Sequence, residues 1–177
     1  MARLRKQAAA PLTVSRPALL VGGSDTEFRG FIHDLMAYGH RLDACREAFA
    51  AIAGVSAAQY EILMMVSRHE GLAVGEVAAR LHRSGAFITI EANKLTERGV
   101  LQKASDPLDR RRVLLHTTEK GRQILQRLAP YQVRINDVLF EHLGARRFRE
   151  FRALLRAQLA SGDRAVAMLQ YLLKEVA

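Results

Sequence analysis

The sequence predicts a mainly α-helical protein that carries one short two-stranded β hairpin. Three observations predict it. From Thr26 onward, apolar residues recur at three- and four-residue steps over most of the chain. Capping and stop residues, namely Gly54, Ser56, Gly71, Ser84 and Gly99, cut that pattern into segments. Two short segments that read as strands, Val100–Ala104 and Val113–His116, flank the turn-rich stretch Ser105–Arg112.

Each element follows from its residues. Residues 1–24 stand apart: they hold Arg3, Arg5, Lys6 and Arg16, no acid, and the interruptions Pro11 and Pro17. This segment reads either as a mobile basic tail or as an arm that packs on a partner subunit or touches phosphate. A long helix starts near Thr26, capped by Ser24 or Asp25, and ends at Gly54. Its stripe of Phe31, Leu35, Tyr38, Leu42, Cys45, Phe49 and Ile52 needs a covering surface. Three shorter helices follow. The first, capped by Ser56, carries Tyr60, Leu63 and Met64. The second holds Val74, Val77, Ala78 and Leu81. The third starts at Ser84, carries Phe87, Ile88, Glu91, Ala92 and Leu95, and stops at Arg98-Gly99.

The hairpin comes next, with turn formers Asp106, Pro107 and Asp109 at a tip that also bears Arg110, Arg111 and Arg112. Thr117 or Thr118 then caps a helix running to about Phe140, in which Pro130 predicts a kink or break. A last helix covers about Ala145 to Glu175, where Gly162 is a point of bending or division. Its apolar residues Phe148, Phe151, Leu155, Leu159, Val166, Leu169 and Leu173 form another stripe. The segmentation is therefore a basic arm (1–24), a first long helix (25–54), a central domain (55–121) and C-terminal helices (122–177).

Composition narrows the function. The 177 residues include 27 Lys and Arg against 18 Asp and Glu, a formal charge of +9. That balance points to a polyanion, with nucleic acid first. The single Cys45 excludes an internal disulfide. No apolar run approaches the roughly 18 residues of a membrane span, so the expected setting is cytoplasmic with no membrane partner. P-loop, G-x-S-x-G, H-E-x-x-H and dinucleotide fingerprints are all missing from the sequence, which argues against an enzyme and against a bound cofactor. The six histidines are scattered without an i, i+4 pair, a poor basis for a metal site.

Helix, helix, helix, basic hairpin is the order of a winged helix-turn-helix. The short turn at Leu81–Ser84 presents the third helix as a ridge that fits a major groove, where base edges are unambiguous. The hairpin, or wing, then reaches a minor groove, which Arg suits. Asp109 would repel phosphate, so it reads as a holder that pairs with a neighbouring Arg or Lys.

The run from Gly54 to Gly121 resembles the MarR family of bacterial transcriptional regulators. The resemblance rests on Gln59-Tyr60 with Leu63, on Glu76-Val77-Ala78 with Leu81, and on Leu95 followed by Glu97-Arg98-Gly99. It extends through Asp106-Pro107-Leu108-Asp109-Arg110-Arg111 to Thr118-Glu119-Lys120-Gly121. It implies a homodimer built by the first and last helices, bound to an inverted-repeat double-stranded DNA operator. It also implies a minor-groove role for Arg111 and a bracing role for Asp109. The third helix departs from the polar start common in the family, having Ser84-Gly85-Ala86-Phe87 instead. Candidate DNA contacts are Arg83, Ser84, Gly85, Ala86, Thr89, Asn93, Lys94, Lys103, Asp109, Arg110, Arg111 and Arg112. Thr89 also reads as structural, and Asn93 and Lys94 also read as a solvated helix face.

Family analogy further implies an effector, here a small aromatic carboxylate or phenol. Tyr38, His40, Arg41, Tyr60, Met64 and Arg68 are the candidate contacts, since aromatic rings and Met line an adaptable slot and a cation holds a carboxylate. Against this, Tyr60 and Met64 read first as core, and His40 and Arg41 as surface. The leading expectation is a repressor of a catabolic or stress operon, released from its operator by an aromatic acid. Two alternatives stand beside it. One is an architectural, non-specific DNA-binding protein without effector. The other is a regulator switched through the Cys45 thiol, although Cys45 lies on an apolar stripe.

Overall fold

The computed structural model describes residues 11–109 and 111–176. Within them the elements run, in chain order, α1 (Thr26–Ala53), α2 (Ala57–Arg68), β1 (Leu72–Ala73), α3 (Val74–Arg80) and α4 (Gly85–Glu97). Then come β2 (Leu101–Ser105), β3 (Val113–Thr117), α5 (Glu119–Leu139) and α6 (Ala145–Val176). The basic residues Arg3, Arg5 and Lys6, together with Arg110 at the wing tip, lie outside the described residues.

Local chemistry sets the boundaries. Gly54, at φ 68°, ends α1 in the left-handed conformation that closes a helix, and the Val55 N–H reaches back to the Ala50 carbonyl at 3.0 Å. Ser56 opens α2 with a reciprocal box: its Oγ accepts from the Gln59 N–H, and Gln59 Oε1 accepts from the Ser56 N–H. Ser84 Oγ accepts from the Phe87 N–H to start α4, and Gly99, at φ 68°, follows its end. Thr118 Oγ1 accepts from the Gly121 N–H at the start of α5 and donates to the Gly99 and Val100 carbonyls.

The winged fold is present, with one addition to the expected two-stranded wing. β1 pairs antiparallel with β3 through Leu72↔Leu115 and Ala73↔Leu114, giving a three-stranded sheet of order β1-β3-β2. β1 is too short to show period-two alternation, and its signal is a pairing partner far along the chain. The wing strands β2 and β3 pair in register from Leu101↔Thr117 to Ser105↔Val113.

The chain forms two compact units, one extending to Ala129 and one beginning at Pro130. In the first, Ile62, Leu63, Val66, Val77, Ile88, Ala92, Leu95, Val100 and Leu115 are wholly buried and form the core on which α2, α3, α4 and the sheet converge. A second cluster joins Phe49, Ala50, Tyr60 and Leu128, with the Phe49 and Tyr60 rings tilted at 6.3 Å between centroids. The stripe on α1 is covered only near its end. Phe49 is buried, but Phe31, Leu35, Leu42 and Ile52 are exposed.

The second unit holds the end of α5 and all of α6. The helix α5 continues through Pro130, and α6 is not divided at Gly162. No residue of α6 is buried among the described residues: Phe148, Leu155, Leu159, Leu169 and Leu173 all stand in solvent. No single helix among the described residues is long and apolar enough to cross a membrane.

The part of the arm beyond residue 10 folds back onto the start of α1. Asp25 does not cap the helix with its side chain. Its Oδ2 instead accepts from both the N–H and the Oγ1 of Thr13 at 2.6 Å, and from Arg29 Nε at 3.0 Å. Thr13 is the larger cause, with Arg29 second, of a carboxyl pKa held down from 3.8 to about 2.

Candidate nucleic-acid interface

The turn between α3 and α4 makes α4 available. Leu81 ends α3 against the Val77 carbonyl, His82 takes φ 50°, and the Arg83 N–H returns to the Ala78 carbonyl at 3.0 Å. The chain thereby turns within three residues, and α4 starts from Ser84 as its cap. Ile88, Glu91, Ala92 and Leu95 anchor α4 to the core, leaving Gly85, Ala86, Phe87, Thr89 and Ile90 exposed on its other side. The Arg83 guanidinium lies 5.9 Å from the Phe87 ring centroid.

Glu91 is a buried acid in the middle of this helix. Its Oε1 accepts from Lys94 Nζ at 2.6 Å, and its Oε2 from Gln59 Nε2 at 2.9 Å. Lys94 first and Gln59 second hold its pKa below the usual carboxylate range, against the opposing effect of burial. Gln59 Oε1 also accepts from Arg98 Nη1, while Arg98 Nη2 donates to the Gly54 carbonyl. One polar chain thus runs from the end of α1 through Gln59 to the middle of α4. Gln59 and Lys94 are tied into the protein by it. The capping spacing of Ser56 and Gln59 is visible in sequence, whereas the reach from Gln59 to Glu91 is not.

The wing stands beside α4. Lys103 on β2 donates to Asn93 Oδ1. Asp109 Oδ1 accepts from the backbone N–H of Arg111 at 3.0 Å. Among the described residues, Asp109 holds the turn through this backbone bond and makes no ion pair with a basic side chain. Asp106 does similar work: Oδ1 accepts from the Leu108 N–H, and Oδ2 lies 3.7 Å from Arg112 Nε. Arg112 also donates to Glu76 Oε2 at 2.9 Å, so its guanidinium is held between two carboxylates. Arg111 is exposed and has no side-chain partner among the described residues. An open cleft of about 450 Å³ lies between α3, α4 and the wing, lined by Glu76, Thr89, Lys103, Arg111 and Arg112 among others.

The six proposed effector contacts do not converge. Tyr38 and Arg41 line a shallow groove of about 250 Å³ on α1 with Asp34 and Ala37. Burial raises the Tyr38 phenol pKa. Arg41 also donates to the Ala37 carbonyl at 2.7 Å. His40 is exposed on α1 and Arg68 is exposed in the last turn of α2. Tyr60 is a core residue, and Met64 packs against the same cluster, so burial already accounts for these two. Cys45 is half-buried against that cluster as well. Among the described residues, no group of three or more His, Cys, Asp or Glu is placed to hold a metal ion.

Similar proteins share this architecture. Residues 53–112 match the model of the MarR family. A curated relative from Thauera aromatica, named for transcriptional regulation of the hcr operon, is 32% identical over 75 residues. The match covers 42% of this chain and 45% of that relative, so the chain spans about half the length of the curated relative it matches. Among solved structures, MarR is 25% identical with a TM-score of 0.56, over 77% of this chain and 90% of that one. The PcaV transcriptional regulator of Streptomyces coelicolor, solved with its natural ligand, is 27% identical with a TM-score of 0.56, over 70% and 90% of the two chains. The Thauera and Streptomyces proteins are named as regulators, in line with the non-enzymatic reading of the sequence. In its winged helix-turn-helix, and in sequence over residues 53–112, the chain is similar to the MarR family of transcriptional regulators.

Proposed function

We propose that the chain is a dimeric transcriptional regulator that binds an inverted-repeat duplex through α4 and the wing. The observation that carries this reading is the pairing of an exposed, core-anchored α4 with a wing whose exposed Arg111, without a side-chain partner among the described residues, stands on a braced turn. A helix of that kind enters a major groove, and the arginine enters the adjoining minor groove. The exposed apolar rows of α1 and α6 support a second copy of the chain as their cover, with two wings then facing two half-sites.

Repression relieved by a small aromatic acid is the finer part of the proposal. It is supported by the Tyr38–Arg41 groove, which offers a ring and a guanidinium, and by the ligand-bound state of the PcaV relative. An effector changes DNA affinity only by its differential affinity for the two forms of the dimer.

Fluorescence anisotropy with the DNA flanking its own gene, beside a random duplex at one near-physiological salt, tests the reading. Tight binding to the flanking DNA alone, reversed by one member of a panel of aromatic acids, is the expected result. Equal weak binding to both duplexes favours a non-specific architectural role, because specificity is the ratio of the two affinities and not their salt dependence.

A further inference from the structure

The exposed face of α4 has few free hydrogen-bonding groups. Thr89 Oγ1 donates to the Gly85 carbonyl at 2.8 Å, and Ser84 Oγ is taken by the Phe87 N–H. Lys94 Nζ sits on Glu91, and Asn93 Oδ1 receives Lys103. What the helix offers outward is apolar. Ile90 is 55% exposed, Phe87 is 38% exposed, and Ala86 lies one turn before Ile90. Every other large apolar residue of α4 is wholly buried, so these two are a departure within a well-packed helix. Basic groups frame them: Arg83 lies against Phe87, while Lys103 and Arg111 line the cleft on the Thr89 side. That charge fits phosphate on both flanks of an apolar strip.

Among the unmodified bases, the major groove presents one apolar feature, the C5-methyl group of thymine. We infer that Ile90, with Ala86 and Phe87 beside it, determines specificity by packing against thymine methyls in each half-site, in place of bidentate hydrogen bonds to base edges. This inference rests on the DNA-binding reading above. It makes thymine at the α4 contact a requirement of the operator and assigns hydrogen-bonded readout on this helix chiefly to the Asn93 amide.

The test starts from a duplex selected by the full-length protein out of a randomised pool. Each thymine of the selected half-site is then replaced by deoxyuridine, which removes the methyl group and leaves every hydrogen bond of the pair intact. At the contacted thymine, the wild-type protein is expected to lose about fourfold in affinity per methyl, the worth of one buried methylene. Ile90→Ala, at an exposed position that leaves the core untouched, is expected to bind the thymine and deoxyuridine duplexes equally. A selected duplex that tolerates deoxyuridine at every position overturns the inference and leaves the DNA-binding reading standing. Failure of the folded protein to enrich any duplex overturns both. Self-association of the DNA-free protein that Ile90→Ala abolishes assigns the strip to a protein contact and likewise overturns it.

Discussion

Arg112 Nη2 donates to Glu76 Oε2 at 2.9 Å, joining residues 36 positions apart and tying the tip end of the wing to the first turn of α3. The same oxygen accepts the Ala73 N–H at 2.9 Å, an otherwise orphaned donor at the helix start. Glu76 therefore holds two elements with one carboxylate. The ion pair is half-exposed on both sides, so screening leaves it worth about 0.5 kcal/mol. The helix-start bond is worth about 1 kcal/mol. Glu76→Ala should thus lower stability by ~1–2 kcal/mol, and Glu76→Gln, which keeps an acceptor, by less. Urea denaturation of the two variants checks the order. Equal losses would show that the charge on Glu76, rather than its helix-start bond, carries the effect.

Arg111 and Arg112 are neighbours with opposite circumstances. Arg112 is engaged by Glu76 and Asp106, whereas the Arg111 side chain has no partner among the described residues and its backbone N–H is held by Asp109. In the proposed complex, Arg111→Ala should weaken operator binding by ~1–3 kcal/mol without changing the oligomeric state. Arg112→Ala should instead show its main effect on stability. Anisotropy titrations beside thermal melts distinguish the two, and an unchanged affinity for Arg111→Ala would remove the wing from the interface.

Gly121 illustrates a glycine needed for space. A Cβ added there would fall on the Val100 carbonyl oxygen and 2.8 Å from Thr117 Cγ2. The backbone oxygen cannot rotate away, since it is fixed by the Thr118 N–H. Gly121→Ala gains about 1 kcal/mol of helix propensity but incurs about 1–3 kcal/mol of overpacking. The second effect should win, giving a lower melting temperature. A variant as stable as the parent would mean that α5 shifts away from β2 at little cost.

Most of this fold was legible because its boundaries are local. Ser56 with Gln59, Ser84 and Gly99 each act within four residues of themselves, so their roles are visible in a short window. What escaped depends on distant partners. β1 exists because Leu72 meets Leu115, and Asp25 turns from capping α1 to binding Thr13 because the arm folds back. At the candidate interface, the position of α4 and the wing followed from pattern and resemblance. The division of labour among the arginines did not, because it depends on where Glu76 and Asp106 stand. Pro130 predicts a kink or break and Gly162 a bend or division, and neither helix is interrupted there. A glycine in a helix interior costs only about 1 kcal/mol, which a helix of 32 residues absorbs.

The Asp25 latch gives a pH dependence with a definite sign. Its carboxyl pKa is lowered from 3.8 to about 2, first by the Thr13 hydroxyl and N–H and then by Arg29. A depressed pKa means that the ionised form is favoured in the folded state. The latch therefore contributes fully above pH 3.8 and is lost as pH falls toward about 2. The carboxyl resonance of Asp25 should titrate with a midpoint near 2 in the parent protein. Thr13→Ala removes the hydroxyl and keeps the N–H, so the midpoint should rise part of the way toward 3.8. Amide exchange over residues 11–24 should accelerate in the same acid range, while the buried amides of α2 and α4 stay protected. A Thr13→Ala midpoint identical to the parent's would show that the hydroxyl does not hold the charge, and that Arg29 at 3.0 Å does so instead.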